Sequence, residues 1–192
     1  MPVRTDTHML QHLPNTLTLL RLVLAVPLGF LILREEFGLA LCIGLLAGLT
    51  DSLDGYFARR LDAFSRFGAA LDPIADKTVI TVCFLSAAAV ELVPWYLAIV
   101  VVGRDLVIVC GAASYAALYG PFEFAATQLG KANMFVQISF CLLVLLAQVV
   151  SHVPPWLVPG GTVVVILLAL ASGVDYVVTW TIRAIQAGKD RR

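Results

Sequence analysis

Asp51, Asp54, Asp72 and Asp76 fall within 26 residues of an otherwise apolar stretch: Asp51-Ser-Leu-Asp54-Gly55-Tyr-Phe-Ala58-Arg59, then Gly68-Ala-Ala-Leu-Asp72-Pro-Ile-Ala-Asp76. An ionised group at bilayer depth is costly unless it is paired, solvated in a cavity or bound to a cation. Four carboxylates that converge repel one another until cations neutralise them, and an all-oxygen donor set selects hard divalent ions such as magnesium or manganese. The cluster therefore points to a metal site that handles phosphate. Two ions is the economical count, because a pair about 3.5–4 Å apart clamps a phosphoryl group and stabilises both the attacking and the leaving oxygen. One carboxylate is left to take the proton of an acceptor hydroxyl, and Asp76, the last of the set, is the residue favoured for it.

Helical spacing brings these groups together. Asp51 and Asp54 are three apart on one expected helix, so they face the same way one turn apart. Gly55 lies four after Asp51 and Ala58 four after Asp54, so residues of negligible bulk sit beside both acids and open room for a ligand or a neighbouring helix. On the next expected helix Asp72 and Asp76 are four apart, with Gly68 a further turn back on the same line. A short turn around Leu61 to Ser65 makes the two helices antiparallel neighbours. Other readings stand beside this one: Asp51 and Asp54 pairing with Arg59 and Arg60, Asp62 as a solvated loop charge, and Asp72-Pro73 as a helix start.

The elements that carry the acids are membrane spans. Of the 192 residues 60% are hydrophobic, and the mean hydropathy is +0.91. Apolar runs of about 20 residues, enough to cross a hydrocarbon core of about 30 Å, recur along the chain. Six are expected, at 13–33, 38–60, 67–90, 93–118, 131–151 and 156–184, giving an all-α polytopic membrane protein organised as a single domain over 1–192. The first run is too long, and lacks the small-residue cleavage site, for a signal peptide.

Lys and Arg set the orientation. Six spans put both termini on one side with the 2–3 and 4–5 loops, and that side collects Arg4, Arg59, Arg60, Arg66, Lys131, Arg183, Lys189, Arg191 and Arg192, against Arg34 alone opposite. Both termini, and the side to which the acids open, are therefore expected to be cytoplasmic. Thirteen basic and 13 acidic residues give zero formal net charge, which argues against a nucleic-acid-binding surface. Cys42, Cys83, Cys110 and Cys141 have neither disulfide nor zinc spacing and read as small buried hydrophobes. His8, His12 and His152 are scattered, which argues against a histidine-based site. Arg21 and Asp175, in the first and last spans, are read as pairing within the bundle or sitting near an interface, without chemistry. Trp95, Trp156 and Trp180 are read as markers of the interfacial level.

The pattern D-x2-D-G-x2-A-R-x8-G-x3-D-x3-D is matched at all eight fixed positions by Asp51, Asp54, Gly55, Ala58, Arg59, Gly68, Asp72 and Asp76. It resembles the signature of the CDP-alcohol phosphatidyltransferase family. Leu13-Pro14-Asn15-Thr16-Leu17-Thr18-Leu-Leu-Arg21 resembles that family's first-helix entry, and Asp72-Pro-Ile-Ala-Asp76-Lys77 its phosphatidylglycerophosphate synthase and cardiolipin synthase branch. The resemblance implies six helices, a homodimer, and a reaction in which an acceptor hydroxyl attacks the phosphate that carries diacylglycerol in CDP-diacylglycerol, releasing CMP. It further implies that Asp51, Asp54 and Asp72 are metal ligands and that Asp76 is a ligand doubling as general base. On the same resemblance Gly55, Ala58 and Gly68 form a cytidine groove, Arg59 and Ser65 touch the nucleotide or its diphosphate, and Asn15 and Thr18 border it.

Outside the signature, Arg104 in Gly103-Arg104-Asp105 and Lys131 in Leu129-Gly130-Lys131-Ala132-Asn133 are cations suited to an anionic acceptor. Their plainer readings are a local Arg104–Asp105 pair and a snorkelling lysine. Arg-Asp followed later by Gly-Lys-x-Asn resembles cardiolipin synthases, which take phosphatidylglycerol; glycerol 3-phosphate is the other candidate. A different class of function is a cation-coupled transporter with the aspartates as its ion site, although the chain has no inverted repeat of broken helices. A prenyltransferase would share the metal chemistry but not the spacing of Gly55, Ala58, Arg59 and Gly68.

Overall fold

Apolar runs broken by short polar stretches become helices, because a backbone in hydrocarbon must satisfy its own hydrogen bonds. The computed structural model describes residues 13–61, 66–119 and 127–190, with side chains within 19–50, 75–114 and 127–182 and at 117. Among the described residues there are six helices: α1 (Leu13–Leu33), α2 (Phe37–Leu61), α3 (Arg66–Ala89), α4 (Trp95–Tyr119), α5 (Gln128–Val149) and α6 (Leu157–Asp190). The expected spans coincide with them within a few residues, except that α6 continues six residues past the expected end at 184. Among the described residues three stretches are long and apolar enough to cross a membrane, Trp95–Ser114, Gln128–Val149 and Leu157–Ile182, and Leu19–Leu33 and Phe37–Thr50 are shorter apolar helices.

The chain divides into two compact units, Met1–Leu92 with Cys141–Val153, and Val93–Phe140 with Pro154–Arg192. In the first, α1 packs against both α2 and α3. Its core gathers Leu28 and Ile32 of α1, Ala40 of α2, Cys83 of α3 and Leu145 at the end of α5. Gly29 sets the spacing of α1 and α3: a Cβ there would lie 2.6 Å from Val82 Cγ1 and 3.2 Å from Ser86 Oγ. In the second unit α4 packs on α6, and Gly161 of α6 meets Phe140 of α5 just as closely, with a Cβ position 2.6 Å from the ring. Small residues at such points let helices approach without a hydrophobic force between them.

The surface is inverted relative to a water-soluble bundle. Leu19, Val23, Val26 and Phe30 of α1 and Val163, Leu167, Leu170 and Val174 of α6 are exposed, whereas Arg21, Asp105, Asn133, Gln137, Thr162 and Ser172 are buried. Apolar side chains turned outward over whole helix faces suit a lipid environment. Trp95, Tyr96 and Trp156 are exposed at helix starts, as an interfacial aromatic belt requires. The four cysteines are free thiols. Cys83 is buried, with Cys141 packed against the same core. Cys42 and Cys110 depart from the expectation of burial and lie on the exposed outer surface, where a small apolar side chain is equally at home against lipid.

Two connections share one device. After α1, Glu35 has φ 59° and its N–H reaches the Ile32 carbonyl at 2.9 Å, while the Glu36 N–H reaches that of Leu31 at 2.9 Å. After α3, Glu91 has φ 60°, with N–H bonds from Glu91 to Ala88 (3.2 Å) and from Leu92 to Ala87 (2.9 Å). Both are Schellman caps carrying glutamate where glycine is the unstrained residue. Relieving the left-handed strain by Glu35→Gly or Glu91→Gly is expected to stabilise the protein by about 1 kcal/mol each, read as a raised midpoint of thermal unfolding in detergent. Gly29→Ala is expected to act oppositely, at about 1–3 kcal/mol of overpacking; an unchanged midpoint would refute the close α1–α3 approach.

Candidate functional site

The acid-bearing residues fall on the adjoining ends of two helices. Asp51, Asp54, Gly55, Ala58 and Arg59 are on the last turns of α2, and Gly68, Asp72 and Asp76 on the first half of α3. The side chains of Asp51, Asp54, Ala58, Arg59 and Asp72, the surroundings of Gly55 and Gly68, and the side chains of Asn15 and Thr18 on α1 lie outside the described residues, as does Ser65 altogether.

Asp76 is described, and its surroundings were not foreseen. The Arg21 guanidinium of α1 donates through Nη1 to Asp76 Oδ1, with the arginine side chain 2% and the aspartate 14% exposed. Arg21 therefore faces α3 and Asp76. Arg21 and Gly29 are eight apart on α1, and their partners Asp76 and Val82 are six apart on α3 in the same order, so α1 and α3 run in the same direction. The close approach at Gly29 holds the two helices together two turns beyond the ion pair. The signal in the sequence was a lone arginine inside the first apolar run, which pairing rules make a partner for an acid.

The second unit carries Arg104 and Lys131. Arg104 of α4 donates through Nη1 to Asp105 at 2.7 Å and through Nη2 to Ser172 Oγ of α6 at 2.5 Å. Its guanidinium carbon lies 5.5 Å from the centre of the Tyr176 ring. The plain Arg104–Asp105 pair thus forms, but as one part of a larger arrangement reaching α6. Lys131 is exposed in the first turn of α5. That turn begins at Thr127, whose Oγ1 accepts the Gly130 N–H at 3.1 Å, an N-cap in the usual three-residue relation. Ser172, Tyr176 and the buried amide Gln137 were missed by the sequence reading, which took the buried Asn133 only as part of Gly-Lys-x-Asn. Their legible signal is polar residues four apart within apolar helices, which puts each pair on one face.

Over residues 11–183 the chain matches the family model described as CDP-alcohol phosphatidyltransferase. The chain belongs to that family. It is 34% identical over 174 residues to a probable phosphatidylglycerophosphate synthase of Mycobacterium tuberculosis, covering 86% of this chain and 80% of that protein. It is 43% identical over 98 residues to a cardiolipin synthase (CMP-forming) of Rattus norvegicus, covering 50% of this chain and 32% of the relative. A CDP-diacylglycerol–glycerol-3-phosphate 3-phosphatidyltransferase of Bacillus subtilis is 31% identical over 144 residues, 66% of this chain and 72% of that one. The match to the animal cardiolipin synthases spans about a third of their length.

Breaking a buried ion pair from one side strands the other charge, at about 3–5 kcal/mol. Arg21→Met is expected to cost that much, and adding Asp76→Asn to return part of it. Unfolding of the two single variants and the double variant measures the coupling, and simply additive losses would contradict it.

Proposed function

We propose that this member of the family is an integral membrane phosphatidyltransferase that moves the phosphatidyl group of CDP-diacylglycerol to a glycerol-type hydroxyl and releases CMP. The reading is carried by the presence of all eight signature residues in a chain that matches the family over residues 11–183. The relatives' names, phosphatidylglycerophosphate synthase and cardiolipin synthase, support an acceptor containing glycerol. The same proposal includes one domain over residues 1–192, six membrane spans, a homodimer, a bacterial inner membrane and an active site facing the cytoplasm, the last supported by the bias of Lys and Arg.

Asp51, Asp54, Asp72 and Asp76 supply only carboxylate oxygens, a donor chemistry that fits two magnesium or manganese ions. Such ions, when bound, supply neutralisation of the phosphate charge along the line of displacement. The chain's own groups do the rest. Asp76 accepts the proton of the acceptor hydroxyl as its oxygen forms the new bond to phosphorus, the bond from phosphorus to the CMP oxygen breaks, and CMP leaves with that electron pair. Arg21 holds the Asp76 carboxylate in one orientation within the helix pair, which is the positioning a general base needs. Gly55, Ala58 and Gly68 leave room for the cytidine, Arg59 and Ser65 engage the nucleotide or its diphosphate, and Asn15 and Thr18 border the nucleotide. Arg104 and Lys131 receive the anionic group of the acceptor.

Purified protein in detergent, given CDP-diacylglycerol and magnesium, is expected to release CMP with either glycerol 3-phosphate or phosphatidylglycerol as acceptor. Asp76→Asn is expected to lower that turnover by about 100-fold or more, the usual scale of a lost general base. Folded protein that releases no CMP with either acceptor or either metal would overturn the reading.

A further inference from the structure

The second unit holds a group of interactions around Arg104 that its own neutralisation does not require. Asp105, adjacent on α4 at 2.7 Å, already supplies the opposite charge. A partner one residue away on the same helix, however, leaves the guanidinium free to turn with its long stem. Two contacts from α6 remove that freedom: Ser172 Oγ accepts Nη2–H at 2.5 Å, and the Tyr176 ring lies beneath the cation at 5.5 Å. Ser172 and Tyr176 are four apart, hence stacked on one face of α6, and both are buried.

Tyr176 reaches a third element. Its hydroxyl accepts the Thr127 N–H at 3.4 Å, at the capped start of α5. A Cβ at Gly130 would sit 3.0 Å from Cε2 and 3.1 Å from the hydroxyl oxygen of Tyr176, so glycine is what admits the ring there. Lys131 is the next residue. One ring thus fixes both the Arg104 guanidinium and the turn that carries Lys131.

The arrangement leaves hydrogen-bonding capacity over. Arg104, with its side chain 10% exposed, has a buried Nε without a hydrogen-bond partner. On α5, Asn133 is 0% exposed with neither amide atom bonded, and Gln137 is buried with an unbonded Nε2. These residues follow Gly130 at three and seven positions, on the helix face that meets α6 at Tyr176 and again at Phe140 and Gly161. A buried donor or acceptor without a partner costs about 1–3 kcal/mol. An arginine kept for packing alone would have its donors used. An unbonded donor on the held cation itself, with further unbonded donors on the α5 face turned to α6, suits a ligand with several oxygens and a negative charge.

We propose that Tyr176 and Ser172 are positioning residues that hold Arg104 to receive the phosphate of a glycerophosphate head group, with Tyr176 also setting the turn of Lys131. The inference rests on the phosphatidyltransferase reading for the identity of that ligand as the acceptor. The head group is common to glycerol 3-phosphate and phosphatidylglycerol, so each is offered separately.

The test compares Tyr176→Leu, Tyr176→Phe, Ser172→Ala and Ser172→Thr with the full-length wild-type chain in detergent. It measures KM for each acceptor and for CDP-diacylglycerol by CMP release, and retention of glycerol 3-phosphate and of phosphatidylglycerol by native mass spectrometry. Loss of a desolvated cation–aromatic contact predicts a rise in acceptor KM of about tenfold for Tyr176→Leu. The KM for CDP-diacylglycerol is expected to stay within about twofold of wild type, the range ordinary assay scatter leaves on a scale where tenfold is 1.4 kcal/mol. Ser172→Thr, which keeps the hydroxyl, is expected to lie close to wild type; Tyr176→Phe, which keeps the ring face but loses the hydroxyl bonded to the Thr127 N–H, and Ser172→Ala are expected between the extremes. The arm in which wild type turns over names the acceptor. Equal rises in both KM values, or a fall in kcat and unfolding midpoint with both KM values unchanged, would overturn the proposal. If wild type releases no CMP, the phosphatidyltransferase reading fails and retention decides alone: loss of the bound head group in Tyr176→Leu but not Tyr176→Phe sustains the positioning role, and equal retention by all variants ends it.

Discussion

A carboxylate or guanidinium in hydrocarbon has to be compensated where it stands, and this constraint orders each unit of the chain. In the first unit Arg21 and Asp76 compensate each other across α1 and α3. That contact aligns the two helices from within, and Gly29 lets them approach against Val82 and Ser86. The helix carrying the last acid of the signature is thereby tied to the first helix of the fold. The second unit solves the same problem with Arg104, using an acid on its own helix and a hydroxyl and an aromatic ring from α6. Ion pairs of this kind are weak sources of stability, because desolvation takes back most of the attraction. What they supply is geometry: each arginine has one place to be.

The inverted distribution of polarity follows from the same rule. With lipid outside, apolar exposure carries no penalty, so faces such as Val163, Leu167 and Val174 turn outward while Asn133, Gln137, Thr162 and Ser172 turn in. Helix association then depends on close contact and on internal polar bonds. This explains why the glycines at 29, 130 and 161 stand opposite large side chains, and why the connections after α1 and α3 tolerate glutamate in a left-handed conformation. At those positions a charged residue outside the apolar run outweighs a strain of about 1 kcal/mol.

Helix positions were legible because apolar runs and their breaks fix them almost without tertiary information; α1 and α2 were located to within a residue. The placement of the acids along the helices was legible for a related reason: they fall at spacings of three and four on the adjoining ends of α2 and α3. What the sequence concealed was partnership. Arg21 is 55 residues from Asp76 and Arg104 is 68 from Ser172, separations that no helical period relates. Arg21 was read beside Asp175 as a charge within the spans, and nothing in the helical period links it to Asp76. Tyr176 was hidden differently: in an apolar helix it reads as one more large side chain, and its role depends on a ring orientation set by Gly130 on another helix.

The Arg21–Asp76 pair also bears on the two classes of function that an intramembrane acid cluster suggests. A pathway for cations works by leaving carboxylates available to the moving ion, and a buried guanidinium against one of them lowers the local negative charge and adds a repulsive neighbour. A site for phosphoryl transfer has the opposite requirement. It must hold metal cations and anionic phosphates at once, so both signs of fixed charge belong in it, with the base held rigidly rather than left to follow an ion. An aspartate held by an arginine whose side chain is 2% exposed places both signs of fixed charge together, as a site of the second kind needs. Membership in the CDP-alcohol phosphatidyltransferase family is what favours phosphoryl transfer over a cation pathway.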